Sequence, residues 1–417
     1  MEPNIFIEVP TYDIDHWTVT TFYSREEFRD FLLSLFKEPG EYNFDESSQI
    51  FNIEARKFHK QGYYCPAPVK SKDFITYWDD QKVKCRKGII VKSVNGTWYI
   101  SRDYYMWLNF LPIYDKEEKR FDFAKVRDAQ YHMALYEHLA ELHYKHAIIL
   151  KKRQIASSYF HMAKLINQWV FEEGAILKIG ASLKDYINEK GSWKFLNEYR
   201  NFLNEHTAWY RPAEPDKVGA WNQQIKVRVN NRDTYRGLKS TINLYSFEKD
   251  PTHGVGGPVT YFFHEEGGIA PKMNDTYGFM KPALKSGHII TGQFIAAGSV
   301  GDLDQCEPMK EYIYHPEENG FYGVQSNLID KDGAPGVIGL FIPEQWSMPP
   351  YIDEYGNSLV EEALEALDRQ FEQWKKELSP EDYQLRISQH PRNIQEAFAH
   401  RTVSIFPPHL VAAQQRR

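Results

Sequence analysis

From residue 124 to residue 342, short apolar runs alternate with stretches of helical periodicity. That alternation constrains the fold more than any other feature of the chain. Buried strands separated by helices are expected to line up as a mainly parallel α/β sheet flanked by helices. The apolar runs are residues 146–150, 175–179, 259–263, 289–296 and 337–342. Helices are expected over 124–143 and 158–171, and over the charged stretch 353–378, with Leu359, Leu364, Leu367, Phe371 and Trp374 as its apolar positions.

Ahead of this series the signals are mixed. Residues 26–36 carry helical spacing, which Pro39 and Gly40 end. Residues 88–99 read as a hairpin turning at Asn95-Gly96, and the aromatic-rich stretch 104–114 reads as packing onto a neighbouring domain. Residues 185–245 look polar and irregular, with scattered helix signals. The tail from residue 389 contains Pro391, Pro407 and Pro408. The expected units are an N-terminal α+β region over 1–123, an α/β core over 124–345, a helical C-terminal part over 346–400 and a linker over 401–417.

Composition excludes several classes. A chain of 417 residues with 42% hydrophobic and 26% charged residues is not disordered throughout, and fits two or three globular units. A net charge of −7 requires that any nucleic-acid contact come from a local basic patch. Cys65, Cys85 and Cys306 are widely spaced, which argues against a disulfide scaffold and fits a reducing compartment. Residues 1–15 carry acids and Pro rather than a basic, then apolar, leader, so no signal peptide is expected. No run approaches the roughly 18 apolar residues of a membrane-spanning helix.

The first strand leads into Lys151-Lys152-Arg153-Gln154-Ile155-Ala156-Ser157-Ser158 and then a helix. A strand, a tight loop and a helix N-terminus make an anion site, because free N–H groups and the helix dipole favour negative charge. Against the standard phosphate loop G-x-x-x-x-G-K-[ST], only the final hydroxyl, Ser158, matches. A basic strand-to-helix turn is more often a solvated loop.

The run 259–263 delivers Glu265 and Glu266 at its C-terminal end, where parallel α/β sheets bind ligands. Successive strand residues point to opposite faces. One carboxylate is therefore free to hold Mg²⁺ and the other to activate water. The bland alternative is two surface acids past a strand end. The run 289–296 leads into Ala297, Gly298, Ser299, Val300, Gly301 and Asp302, small enough for close approach to a γ-phosphate or ordinary as a loop.

With these segments in order, the chain resembles the large subunit of the tailed-bacteriophage DNA-packaging terminase, over residues 104–407. That family carries a deviant Walker A loop, often K-x-R-Q-x-G-x-[ST], which Lys151, Arg153, Gln154, Ile155 and Ser158 match. Glu265-Glu266 looks like the Walker B pair, with Glu266 as catalytic glutamate, and Gly298, Ser299 and Asp302 are similar to its coupling motif. Pro391 to Phe398 resembles the P-x-x-x-x-E-A-F segment that closes the ATPase half. Three departures stand out. Ala156 replaces the usual Gly, Glu265 replaces the usual Asp, and the adjacent Lys151 and Lys152 leave the phosphate lysine open.

The resemblance implies a P-loop NTPase fold of the RecA-like, ASCE type with lid-like subdomains at both ends. It implies ATP and Mg²⁺ as cofactors. The loop, Lys151 to Ser158 with Ser157 included, would bind ATP, and Ser158 and Glu265 would hold the metal. Arg153 would serve as a cis arginine, with Arg232 and Arg236 as weaker candidates from another subunit. Gln130 or Tyr131 would contact adenine. Implied partners are double-stranded viral DNA, the procapsid's portal protein, the small terminase subunit and other copies in a ring, with no membrane. The implied location is the host cytoplasm. The family's ribonuclease-H-like nuclease is not expected from this chain, which ends at Arg417. A helicase-like P-loop translocase and a non-enzymatic phage structural protein remain as alternatives.

Overall fold

The computed structural model describes residues 6–116, 118–254, 256–301, 303–330, 332–333 and 335–399. Its centre is an eight-stranded sheet. The strands are β1 (Ala147–Lys151), β2 (Ile176–Ala181), β3 (Asp216–Lys217), β4 (Ala220–Asn222), β5 (Thr241–Ser246), β6 (Tyr261–Glu265), β7 (Gln293–Gly298) and β8 (Leu340–Ile342). Their spatial order is β8-β1-β7-β6-β2-β5-β4-β3. The first six of that order run parallel, and β4 and β3 add an antiparallel margin. The mainly parallel α/β sheet expected from the alternating runs is therefore present.

Both faces of this sheet are covered. Ile149, Ile179, Phe263 and Ile295 point into one apolar cluster, while Ile148, Leu150, Phe262 and Phe294 point into another. Adjacent residues belong to opposite faces, as the period of a strand requires. The first cluster receives α1 (Arg102–Phe110), α2 (Asp128–Leu142), α3 (Ser157–Phe171) and α4 (Ser192–His206). The second receives α5 (Leu303–Tyr314) and the helix Met273–Met280.

The N-terminal region forms its own four-stranded sheet from Ile7–Asp13, His16–Phe22, Ile89–Lys92 and Thr97–Ile100. Its apolar residues run without a break into the cluster under the central sheet. The helix Arg25–Leu35 and the hairpin around Asn95-Gly96 form as the sequence predicts. The aromatic stretch becomes α1, whose residues 103–110 are all buried. Trp107 packs on Phe160 of α3 at 5.6 Å and its indole N–H donates to the Tyr199 hydroxyl at 3.1 Å.

Several boundaries differ from expectation. Residues 185–245 hold a 15-residue helix, α4, and the full sheet strand β5. Ile289–Ile290 pairs with Lys285–Ser286 in a separate small hairpin, so β7 starts only at Gln293. Gly336–Ile338 pairs with Val324–Ser326, leaving only Leu340–Ile342 for the sheet. A Cβ at Gly339 would lie 2.5 Å from Ile148 Cγ2, so the chain changes partner where only glycine fits.

The C-terminal part comprises α6 (Val360–Glu377), α7 (Pro380–Gln389) and α8 (Ile394–Ala397). The predicted start of α6 at residue 353 is displaced, because Asp353 instead accepts hydrogen bonds from the N–H groups of Tyr355 and Asn357 at 2.9 and 2.8 Å in a turn. The closing segment fastens these helices. Arg392 lies over the Phe371 ring at 4.3 Å and pairs with Asp368 of α6, while its Nε donates to Glu396 at 3.1 Å. Asn393 caps α8 by accepting from the Glu396 N–H at 2.9 Å. The expected linker 401–417 lies outside the described residues.

Candidate active site

Parallel strands end at one edge, and that edge gathers the predicted residues. Ile342 is level with Lys151, Gly298 with Leu150, and Ala297 with Glu265. The chain from β1 to β2 crosses to one side of β1, and that from β7 to β8 crosses to the other. β1 therefore opens onto the crevice where such sheets bind ligands.

The loop after β1 turns through two left-handed residues, Gln154 at φ 63° and Ala156 at φ 56°. That conformation costs an L-residue roughly 1–2 kcal/mol, so both positions would suit glycine better. Ala156 is the residue before α3, and no side chain caps that helix. The first N–H groups of α3 are thus available to an anion. Helix α3 begins at Ser157, one residue before the predicted start.

The two lysines part ways. Lys151 Nζ lies 3.5 Å from Ser299 Oγ and 3.8 Å from Glu266 Oε1. Lys152 Nζ donates to the carbonyls of Glu344 and Ser347 at 3.0 and 3.1 Å, and burial lowers its pKa to about 8. Its ammonium is committed to the segment after β8. Arg153 and Gln154 are exposed, and Ile155 is buried.

Glu265 is buried and doubly held. Oε1 accepts from Ser158 Oγ at 2.7 Å and Oε2 from Ser192 Oγ at 2.5 Å. Burial, then the neighbouring Glu266 charge, raise its pKa against the opposing pull of both hydroxyls and Lys151. Glu266 turns away in the left-handed region at φ 50°, and its Oε2 faces the Ser299 N–H at 3.4 Å. The turn that follows packs backbone to backbone on the end of β7. A Cβ at Gly268 would lie 1.9 Å from Ser299 O, and one at Gly298 would lie 2.5 Å from Gly268 N. Gly298 and Ser299 of the expected coupling motif are therefore locked to the acidic turn. Asp302 lies outside the described residues.

A cleft of about 440 Å³ opens beside this cluster, lined by Arg153, Ser182, Glu248, Lys272 and Val300, with Ser388 of α7 on its far wall. It lies over the strand ends of β2, β5, β6 and β7. Arg153 thus lines this open space.

Other expected residues behave differently. Gln130 Nε2 donates to the Ile155 carbonyl at 3.1 Å, so its amide braces the loop. Its Oε1 is buried with no partner among the described residues. Tyr131 is core: its ring packs edge-on to Tyr42 at 4.7 Å, and its hydroxyl accepts from the Tyr99 N–H at 3.3 Å. Arg232 and Arg236 stand on an exposed hairpin.

Sequence reasoning missed Ser192. Its only local signal is Gly191 ahead of it, at the start of α4. Also missed was a buried network under the loop. Ser157 O and Oγ lie 2.7 and 3.1 Å from His161 Nδ1, and His161 Nε2 lies 2.8 Å from Glu137. Glu137 also pairs with Lys164 at 3.1 Å, and Lys164 donates to Gln293 of β7 at 3.1 Å. Every group in this chain has a charged or hydrogen-bonding neighbour, which is what makes its burial tolerable.

No protein-family model matches the chain, and no curated protein matches it in sequence. Solved structures that match this chain include a point mutant of the Thermus phage P74-26 large terminase ATPase domain. It is 10% identical with a TM-score of 0.37, over 60% of this chain and 88% of that one. The HK97 bacteriophage large terminase is 12% identical with a TM-score of 0.34, over 60% of this chain and 49% of that one. The N-terminal domain of the bacteriophage phi29 DNA packaging ATPase is 8% identical with a TM-score of 0.26, over 40% and 79%. Likeness at this level assigns no residue a role. The solved structures this chain is similar to include phage large-terminase and DNA-packaging ATPase domains.

Proposed function

We propose that this chain is a P-loop ATP hydrolase that drives double-stranded DNA into a viral procapsid, the ATPase portion of a terminase large subunit. One observation carries the reading. Ser158 at the start of α3 and Glu265 at the end of β6 meet at 2.7 Å, with Lys151 at 3.8 Å from Glu266 beside them. A hydroxyl, two carboxylates, a lysine and a free helix N-terminus at one sheet edge are the parts that phosphoryl transfer needs. The single strand β7 standing between β1 and β6 supports the ASCE type.

The residues suit the implied cofactors. A serine hydroxyl and a carboxylate are hard oxygen ligands, and Mg²⁺ bound with a nucleotide takes only one or two carboxylates from protein. Ser158 and Glu265 would hold the ion, which when bound neutralises phosphate charge. Ser192 keeps Glu265 oriented from its other oxygen. Lys151 and the first N–H groups of α3 would neutralise the β and γ phosphates. Glu266 would accept the proton of the attacking water, and its distance from Lys151 keeps it within reach of a stabilising cation. Arg153, facing the cleft, would meet charge developing on the transferred group.

Ser299 touches both Lys151 and Glu266, so the state of the site is felt directly at the end of β7. The cleft wall supplied by α7 offers a path from there to the C-terminal helices. DNA, the portal protein, the small subunit and a ring of copies are the partners of this reading, in the host cytoplasm. No helix among the described residues is long and apolar enough to cross a membrane.

The test is Mg²⁺-dependent phosphate release from ATP by the purified chain, with an ATP-analogue complex to locate the nucleotide. Background turnover together with no nucleotide-induced stabilisation rejects the reading.

A further inference from the structure

The strands Ile225–Val229 and Arg232–Arg236 pair only with each other and form an isolated ribbon. Asn230 and Asn231, at φ 49° and 63°, make its two-residue turn, as the favoured mirror-image hairpin turn requires. The base is clamped. Gln223 is buried, its N–H donates to Ser240 O at 2.7 Å, its carbonyl accepts from Lys239 at 2.9 Å, and its side chain accepts from the Leu238 N–H. The Lys226 N–H donates to Glu214 at 3.0 Å. A Cβ at Gly237, φ 141°, would lie 2.5 Å from Gln223 O. The ribbon therefore leaves the body through a fixed neck.

It leaves from the edge opposite the candidate active site. Asn222, the last residue of β4, pairs with Thr241, and Thr241 is level with Ile176 at the start of β2. Lys151, Glu265 and Ser299 lie at the other ends of these parallel strands. Arg232 and Arg236 therefore stand on a ribbon rooted at the edge away from their own chain's site.

The ribbon is basic in an acidic chain. Residues 225–236 hold Lys226, Arg228, Arg232 and Arg236 against the single carboxylate Asp233, whereas the whole chain carries −7. Lys226 is neutralised by Asp233 at 2.8 Å. Arg228, Arg232 and Arg236 are exposed, and no described residue offers their guanidinium groups an ion pair. Cross-strand register places Arg232 beside Val229 and Arg236 beside Ile225, so both arginines share a face with the aliphatic row, while Arg228 stands on the other face, level with Asp233. Arg232 and Arg236 stand four residues apart on one strand, about 13 Å, too far to share one phosphate.

We propose that this ribbon is a contact surface for the phosphate backbone of duplex DNA. The proposal rests on the packaging reading and adds which surface grips the cargo. Guanidinium groups match phosphate geometry, and a two-stranded ribbon fits the width of the major groove. Counterion release lets a small patch bind DNA although the chain as a whole is acidic.

The test compares the full chain with the R228Q/R232Q/R236Q variant by fluorescence anisotropy on a labelled duplex across a salt series, with circular dichroism to verify folding. The variant is expected to bind more weakly, and its plot of log K against log salt to be shallower by about 1.8 when Arg232 and Arg236 each neutralise one phosphate, and by about 2.7 when Arg228 does so too. Asp233→Asn frees Lys226 and is expected to tighten binding, a gain that misfolding does not mimic. Equal affinity and slope for wild type and triple variant overturn the proposal and leave the packaging reading standing. No duplex binding by the wild type sinks that reading and the proposal with it. A triple variant that keeps its DNA affinity but loses ATP turnover or self-association assigns the ribbon to a neighbouring copy, and a loss confined to single-stranded DNA overturns the duplex assignment.

Discussion

Ser158 donates a 2.7 Å hydrogen bond to Oε1 of Glu265 although 107 residues separate them in sequence. The bond reaches past β7, which lies between the strands that deliver the two residues. It holds a helix N-terminus and a strand end in register at the candidate site.

Replacing Glu266 with Gln keeps the shape and removes the proposed proton acceptor. ATP turnover should fall by a factor of about 10²–10⁴, the usual worth of general-base catalysis. Nucleotide affinity should stay close to wild type. Phosphate release and nucleotide-dependent Tm shifts measure the two quantities, and full turnover by the variant removes Glu266 from the mechanism.

The two adjacent lysines should fail in different ways. Lys151→Ala should weaken nucleotide binding with little change in the stability of the free protein. Lys152→Ala strips the donor from two carbonyls and should cost about 1–3 kcal/mol of unfolding free energy. Urea melts alongside nucleotide titrations separate these outcomes; a Lys152 variant that loses nucleotide affinity at unchanged stability reverses the assignment.

Glu265 gives a pH signature. Its folded pKa lies above the ordinary 4.5, because burial and then Glu266 disfavour the charge. Its favourable contribution is full below that ordinary value and is lost as pH rises through the folded value. Glu265→Gln has no such loss. The stability of the variant relative to wild type should therefore grow from pH 4.5 upward and level off above the raised pKa. A difference that does not change with pH contradicts the account. Turnover should be lost throughout, the trade expected where a strained site serves function.

Ala156→Gly should stabilise the protein. Relief of the left-handed alanine is worth roughly 1–2 kcal/mol, and the extra freedom of unfolded glycine takes back about 0.5–1. A net gain of about 0–1.5 kcal/mol follows, readable as a higher Tm. A lower Tm shows that the loop does not hold Ala156 at positive φ.

Gly268→Ala should do the opposite. Its new Cβ would sit 1.9 Å from the Ser299 carbonyl, so the acidic turn and the end of β7 must separate. Overpacking of this kind costs about 1–3 kcal/mol or more, and turnover should drop as Glu266 and Ser299 move apart. Unchanged stability and activity exclude the tight packing.

Residues buried on both faces announce themselves in one dimension. The runs 146–150, 175–179 and 259–263 fall within two residues of β1, β2 and β6, because a strand covered on both sides is apolar without interruption. β5 escaped notice because Thr241–Ser246 buries fully only Ile242, being next to the short, ragged margin of the sheet. α4 was obscured by its many polar positions, although Trp193, Leu196, Tyr199 and Leu203 mark a helical face. At Ile289 and at Val337 the apolar signal was real but the strand pairing was local, and nothing in a linear pattern names a strand's partner.

The order of elements, the basic turn and the acidic strand end are properties of the chain itself, since each depends on neighbours a few residues away. Folding alone decided which lysine faces the carboxylates. Lys151 and Lys152 are consecutive, and the extended chain at the end of β1 sends one toward Ser299 and the other to the carbonyls of Glu344 and Ser347. Ser192 joined the site, and Gln130 was drawn into bracing the loop, for the same reason. Hydrogen bonds act over about 3 Å, and only the packed sheet brings residues so distant in sequence within that range.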